Sequence, residues 1–248
     1  MKNGYDARVN GDGTELARFY KDVSTAEEEN EGWRILLDER PVKTPMRNDL
    51  LVPTHALAEA IADEWRAQDA RIDPETMPLT KLANTALDAV APNATEVAEN
   101  VLSFAGRDLI CYRAEGPQTL IERQKALWDP MIDWAEDYYG ARLNVTEGVM
   151  PIEQPADSLA ALRTACLCHE PFSLTALHVM TSITGSAVLA LAHIAGRMSL
   201  DESWAAAHVD EEFQTREWGA DEEAAKRFKS RYEELRSASR FYELSQPG

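Results

Sequence analysis

Between Pro171 and Gly196 the chain carries no Asp, Glu, Lys or Arg. Charged residues make up 27% of the sequence, so a run this long without any must be taken out of water, into either a protein core or a bilayer. Its content chooses between the two. Thr175, His178, Thr181, Ser182, Thr184, Ser186 and His193 recur through it, and Gly185 interrupts it. Polar groups this frequent are costly in lipid. The run therefore predicts two helices buried at the centre of a helical domain, and no stable membrane insertion.

The rest of the chain falls into two patterns. Before Pro53 the apolar residues come in short runs separated by turn signals: Arg18–Val23, Trp33–Asp38 and Asp49–Pro53. Such spacing predicts strands of a small antiparallel sheet. The acidic stretch 24–32 between them has little to bury and is expected to be an exposed loop. After Pro53 the period is helical. Thr54 is placed to cap a helix that carries Leu57, Ile61 and Trp65. Further helices are predicted from Pro78 to Val90, after Asn93, over 118–139 with a kink or a fresh start at Pro130, and through most of 157–244. Gly140 suits a left-handed helix end. Asp201 is expected to cap a helix running to Trp218, with Gly219 ending it. The predicted fold is α+β: a small N-terminal α+β domain with an antiparallel sheet (1–85), then a larger all-α domain (86–248).

Of 248 residues, 43 are Asp or Glu and 25 are Lys or Arg, a net charge of −18. A nucleic acid or an anionic bilayer would be repelled by that field. The three cysteines form no disulfide pattern. Residues 1–13 are polar, with neither the apolar core of a signal peptide nor the Arg/Ser character of a transit peptide. A bacterial-type cytoplasm is the expected compartment. No sustained heptad seam calls for a dimer, and a monomer is expected.

Catalytic spacings are missing. There is no phosphate-binding Gly-rich loop, no Gly-x-Ser-x-Gly elbow and no His-Glu-x-x-His. Cys166-Leu-Cys-His169 lacks a second ligand pair, so it reads as a packed helix rather than a zinc site. His178 and His193 read as core histidines with hydrogen-bonded rings. No catalytic residue, metal or cofactor is expected.

The acidic surplus is partly concentrated. Residues 201–225 hold nine carboxylates against one basic side chain, Arg216. Asp210, Glu211 and Glu212 are consecutive, and successive helical residues point about 100° apart. Some of them must therefore border the apolar edge carrying Val209, Phe213 and Trp218. Gln214 shares a face with Asp210. A solvated helix face, an acidic patch rimmed by aromatics for a protein partner, and a hydrolase or metal enzyme using these carboxylates with His208 or His169 are all compatible with the residues.

Blocks along most of the chain resemble one family. They comprise Arg18-Phe-Tyr20, Leu37-Asp38 with Arg40, Lys43-Thr-Pro45, Val52-Pro53, Ala56-Leu-Ala58, and Glu64-Trp65 with Gln68. Met77, Leu79-Thr80, Asn84-Thr85, Leu87-Asp88 and Asp108–Arg113 follow. Pro117, Gln124, Trp128-Asp-Pro130, Trp134-Ala-Glu136, Tyr139-Gly140, Glu211-Glu212, Gln214 and Trp218-Gly219 complete the series. In this order they resemble the ATP-twelve family, assembly chaperones for the α subunit of the F-type ATP synthase catalytic head. The resemblance implies a non-enzymatic chaperone that binds unassembled α, masks the surface that later meets β, and releases it for assembly. It places functional weight on the acidic helix at Glu211 and Glu212, and Asp210, Gln214 and Trp218 on the same helix are expected to share the partner contact. Trp65 matches a position the family depends on, as a contact or as a core anchor. Eukaryotic relatives would act in the mitochondrial matrix. A structural subunit retained in a larger assembly is a further reading.

Overall fold

The computed structural model describes residues 16–29, 32–218 and 222–247. The short apolar runs before Pro53 become strands by backbone pairing: β1 (Leu16–Ala17), which pairs elsewhere, and a four-stranded sheet of β2 (Val23–Glu28), β3 (Gly32–Leu37), β4 (Arg40–Pro41) and β5 (Leu51–Val52). β3 is central. β2 pairs antiparallel along one edge, from Val23 opposite Leu37 to Glu28 opposite Gly32. β4 and β5 pair antiparallel on its other edge, at Leu36–Leu37 and Trp33–Arg34.

Two expectations are corrected here. The stretch expected to be an acidic loop contains β2, because β3 supplies a full ladder of backbone partners that composition does not reveal. Its charges are placed as an edge strand tolerates them: Glu27 is exposed, and Glu28 pairs with Arg34 at 2.6 Å. Conversely, the 18–23 run is not one strand. β1 ends at Ala17 and pairs in a separate two-stranded sheet, and β2 begins only at Val23.

Sharp backbone turns hold the register. Asp38 and Glu39, both with positive φ, make the two-residue connection between β3 and β4. Asp38 Oδ1 accepts the Lys21 and Asp22 N–H groups at 3.0 and 2.9 Å. Gly32 has φ +128°, and a Cβ there would meet the Val52 carbonyl oxygen at 2.5 Å, so only glycine fits beside β5.

Helix α1 (His55–Arg66) is capped by Thr54, whose hydroxyl accepts the Leu57 N–H at 3.1 Å. It buries Leu57, Ile61 and Trp65, in the four-residue rhythm of the sequence. β6 (Arg71–Ile72) pairs antiparallel with β1. α2 (Pro78–Thr85) begins on the Glu64 carboxylate, which accepts from the Leu79 and Thr80 N–H groups and the Thr80 hydroxyl at 2.7–2.8 Å. Asp88 holds the turn 44–48 by accepting from the Thr44 hydroxyl, the Met46 N–H and the Asn48 amide. Several blocks that carry the family resemblance are thus joined by hydrogen bonds to one another.

From Ala94 onward the chain is mostly helical. α3 (Ala94–Ala105) leads to β7 (Tyr112–Arg113) and α4 (Gln118–Tyr139). α4 runs as one helix through Pro130 rather than restarting there. Pro130 removes the N–H that would bond Ala126, and both residues are exposed, where water can satisfy the carbonyl. Gly140 ends α4 with φ +72°, as expected. β8 (Thr146–Glu147) pairs parallel with β7. α5 (Ala156–Leu167), α6 (Pro171–Thr184) and α7 (Ala187–Ile194) follow.

The uncharged run becomes α6 and α7, broken at Gly185 in the left-handed region. Several of its polar groups are satisfied locally: Thr175, Ser182 and Thr184 each donate to a carbonyl one turn back, and the Ser186 hydroxyl caps α7, whereas the buried Thr181 hydroxyl has no partner among the described residues. Among the described residues no helix is long and apolar enough to cross a membrane.

α8 (Leu200–Ala207), α9 (Val209–Trp218) and α10 (Glu222–Ser245) complete the chain. The expected single helix from Asp201 is two helices that meet at His208. The cap is Ser199, which forms a capping box with Glu202. The expected stop at Gly219 lies outside the described residues.

The chain clusters into two compact units. One extends to Asn93 and also takes in Pro171–Ala176 and the stretch from Arg240; the other comprises Ala94–Glu170 and Leu177–Ser239. The first is held partly by its late segments. The Thr54 hydroxyl donates to the Leu244 carbonyl, Gln246 donates to Ser173, and Phe172 stacks on Phe241.

Candidate functional site

The acidic helix α9 starts where α8 fails to continue. His208 has φ −117° and ψ 19°, outside the helical region, while its carbonyl still accepts the Glu212 N–H at 2.9 Å. The ring explains the break. It packs against Trp204 with centroids 3.7 Å apart and meets the Phe228 edge at 5.1 Å. Its Nδ1 lies 3.0 Å from the Trp204 carbonyl, so that nitrogen carries the proton. Burial holds its pKa below the ordinary histidine value, which favours the neutral ring. Nε2 is buried without a hydrogen-bond partner among the described residues.

The break sets where the three carboxylates point. Asp210 and Glu212 reach α4: Asp210 Oδ1 accepts from the Gln124 amide at 2.7 Å, and Glu212 Oε2 pairs with Arg123 at 2.5 Å. Both are half-buried, bordering Val209, which is fully buried. The expectation that some carboxylates must sit at the apolar edge describes these two. Glu211 points the other way, exposed, with Arg231 of α10 at 3.5 Å and His208 Nε2 at 4.0 Å. Gln214 is exposed. Trp218 is the last residue of α9, and its side chain falls outside the described part of the structure.

Arg123, Gln124 and Arg231 are the supporting residues that sequence reasoning did not assign. Gln124 alone had a signal, as a polar residue on the buried face of an amphipathic helix. Arg231 also donates to the Ile183 carbonyl at 2.9 Å, so its guanidinium is fixed as it faces Glu211. The chemistry available to this surface is charge and hydrogen bonding. Glu211 and Gln214 face solvent from a helix pinned by their neighbours.

Trp65 lies elsewhere, in the core of the first unit at 3% exposure. Tyr20 packs edge-on against it, with centroids 5.6 Å apart, and the Tyr20 hydroxyl donates to the Trp65 carbonyl at 2.6 Å. It presents no surface to a partner in this conformation.

The other candidates resolve into packing. Cys166 is buried, and burial pushes its thiol up to about 12. Cys168 is exposed, and among the described residues no three His, Cys, Asp or Glu side chains are placed to hold a metal. His193 is bonded at both ring nitrogens, to the Met198 carbonyl and the Ser239 hydroxyl, and His178 Nε2 meets Asn100 Oδ1 at 3.0 Å.

Comparison with known proteins gives consistent matches. The ATP12 chaperone protein family model matches residues 17–136. Protein atp12, mitochondrial, of Schizosaccharomyces pombe is 25% identical over 221 residues, spanning 84% of this chain and 75% of that protein. The crystal structure of Atp12 from Paracoccus denitrificans is similar with a TM-score of 0.89 and 44% identity, covering 93% of this chain and 99% of that one. An Asp-to-Lys mutant of the Paracoccus denitrificans protein gives 0.89 and 43%, covering 93% and 98%.

Proposed function

Because the chain belongs to the ATP12 chaperone family, we propose that it is a non-enzymatic assembly chaperone for the F-type ATP synthase, whose client is the unassembled α subunit of the catalytic head. It acts as a monomer in a bacterial cytoplasm. It covers the α surface that later meets β and releases α for assembly.

The observation that carries the reading to a surface is the split of the acidic triplet. Asp210 and Glu212 are tied to α4, while Glu211 stands in solvent beside Gln214. A helix fixed on one side presents its exposed carboxylate at little entropic cost, and such a charge steers and orients a partner. Trp218 continues the same helix and is assigned to the contact as an aromatic anchor. Trp65 contributes through the core of the first unit. The net charge of −18 disfavours self-association while a client is engaged.

The test is aggregation of purified α subunit, followed by light scattering without ATP. The chaperone suppresses it at near-stoichiometric amounts. Equal aggregation with and without the chaperone rejects the reading. Stable co-purification with intact ATP synthase would favour a retained structural subunit instead.

A further inference from the structure

The second unit displays a loop, closed at its base by hydrogen bonds, whose tip is apolar and has no partner among the described residues. Its base is closed by two side chains: the Asn144 N–H donates to the Gln154 side-chain oxygen at 2.8 Å, and the Gln154 amide donates back to the Asn144 carbonyl at 3.0 Å. The Asn144 amide also donates to the Glu153 carbonyl at 2.9 Å. Midway, β8 pairs with β7, and the Gly148 N–H reaches the Arg113 carbonyl at 2.8 Å. The side chain of Arg113 is buried against Trp128 and Asp129, so this attachment point is itself fixed. Beyond it stand Val149 and Met150, 90% and 74% exposed, followed by exposed Pro151.

Such exposure on a held backbone is unusual, because an apolar pair in water forgoes burial and a closed loop has no freedom to fold it away. Carboxylates surround the tip. Glu147 precedes it, Glu153 follows it, and the Glu115 side chain lies against Gly148. All three are exposed, and none forms an ion pair among the described residues. No Lys or Arg occurs between residues 143 and 162.

We propose that the 144–154 loop is a second client contact, whose Val149–Met150 tip enters an apolar groove rimmed by Lys or Arg on the α subunit. This rests on the α-subunit reading above. Charge chooses the occupant. A second copy of this chain, or an anionic bilayer, would bring negative charge against three carboxylates, whereas a basic rim would be attracted. An unbranched Met beside a Val suits a groove that must be entered and left repeatedly.

The experiment compares the full-length wild type with Val149→Asp/Met150→Asp and with Glu147→Lys/Glu153→Lys, titrated against labelled α subunit. Both side chains of the first pair stand in solvent, so the thermal midpoint stays at the wild-type value while affinity for α falls roughly tenfold or more, as when apolar anchors become charged. The lysine pair slows association and removes part of the salt dependence. Equal affinity of wild type and the Asp pair for α overturns the proposal and leaves the α-subunit reading intact. A wild type that fails to hold α overturns both. Loss of self-association in the Asp pair, or loss of co-sedimentation with phosphatidylglycerol vesicles, would identify a different occupant and also overturn it.

Discussion

The Gln124 amide donates to Asp210 at 2.7 Å while its side-chain oxygen accepts the Ala114 N–H at 2.8 Å, and Gln124 itself is 1% exposed. One buried side chain thus links the acidic helix to the backbone ahead of α4. This makes Asp210 a supporting residue as much as a surface one. Asp210→Ala leaves a buried amide without its acceptor and is expected to cost about 1–3 kcal/mol. For a chain of this size that lowers the thermal midpoint by roughly 2–4 °C per kcal/mol. Calorimetry checks it, and an unchanged midpoint would mean that water replaces the carboxylate.

Glu211 is expected to separate from it. Its carboxylate is exposed and its ion pair with Arg231 is long, an arrangement typically contributing less than about 1 kcal/mol. Glu211→Lys should therefore leave urea unfolding nearly unchanged while weakening suppression of α aggregation. Loss of the folded state in this variant would return Glu211 to a structural role.

Trp65 should behave in the opposite manner. Trp65→Ala opens a cavity in the first unit and is expected to cost about 3–5 kcal/mol. Its Nε1 is buried with no partner among the described residues, so Trp65→Phe removes an unsatisfied donor along with some packing. The Phe variant should be clearly more stable than the Ala variant and should retain client protection at a temperature where both chains are folded. Denaturant melts, followed by scattering assays on the same samples, decide this.

Asp108 carries a pH signature. Its carboxylate is fully buried and accepts the Ile110 and Val188 N–H groups at 3.3 and 3.1 Å, the second at the start of α7. Burial pushes its pKa up to about 6 from 3.8, against the opposing hydrogen bonds. With the folded pKa above the unfolded one, the folded state binds the extra proton between these values. The contribution of this group to stability therefore rises as pH falls from about 6 toward 4. Paired carboxylates such as Asp49 and Glu59, held low by Lys43 and Thr25, work the other way. The difference between wild type and Asp108→Asn isolates this contribution: the variant should be destabilised more at pH 4.5 than at pH 7.5. A flat or reversed difference would contradict the assignment.

Much of the architecture was legible because short-range chemistry specifies it. Thr54 caps α1, Gly140 and Gly185 end helices in the left-handed region, and the absence of charge over 171–196 calls for burial. The acidic segment was legible as a helix bordering an apolar edge. Its division into Asp210 and Glu212 against Glu211 was not, since Arg123 and Arg231 lie far away in sequence. The acidic strand β2 was also hidden, because its stability comes from backbone pairing with β3.

The sequence by itself determined the helical and extended periods, the caps and stops, the surplus of negative charge and the family resemblance, all of which depend on neighbours within a few residues. Tertiary structure decided which partner each polar group finds. It buried His208 against Trp204 and so broke the last acidic helix in two, sent Asp108 to the start of α7, and returned residues 171–176 and the stretch from Arg240 to the first unit. Those choices depend on long-range packing, where a polar group is stable only if the fold brings a complementary one to it.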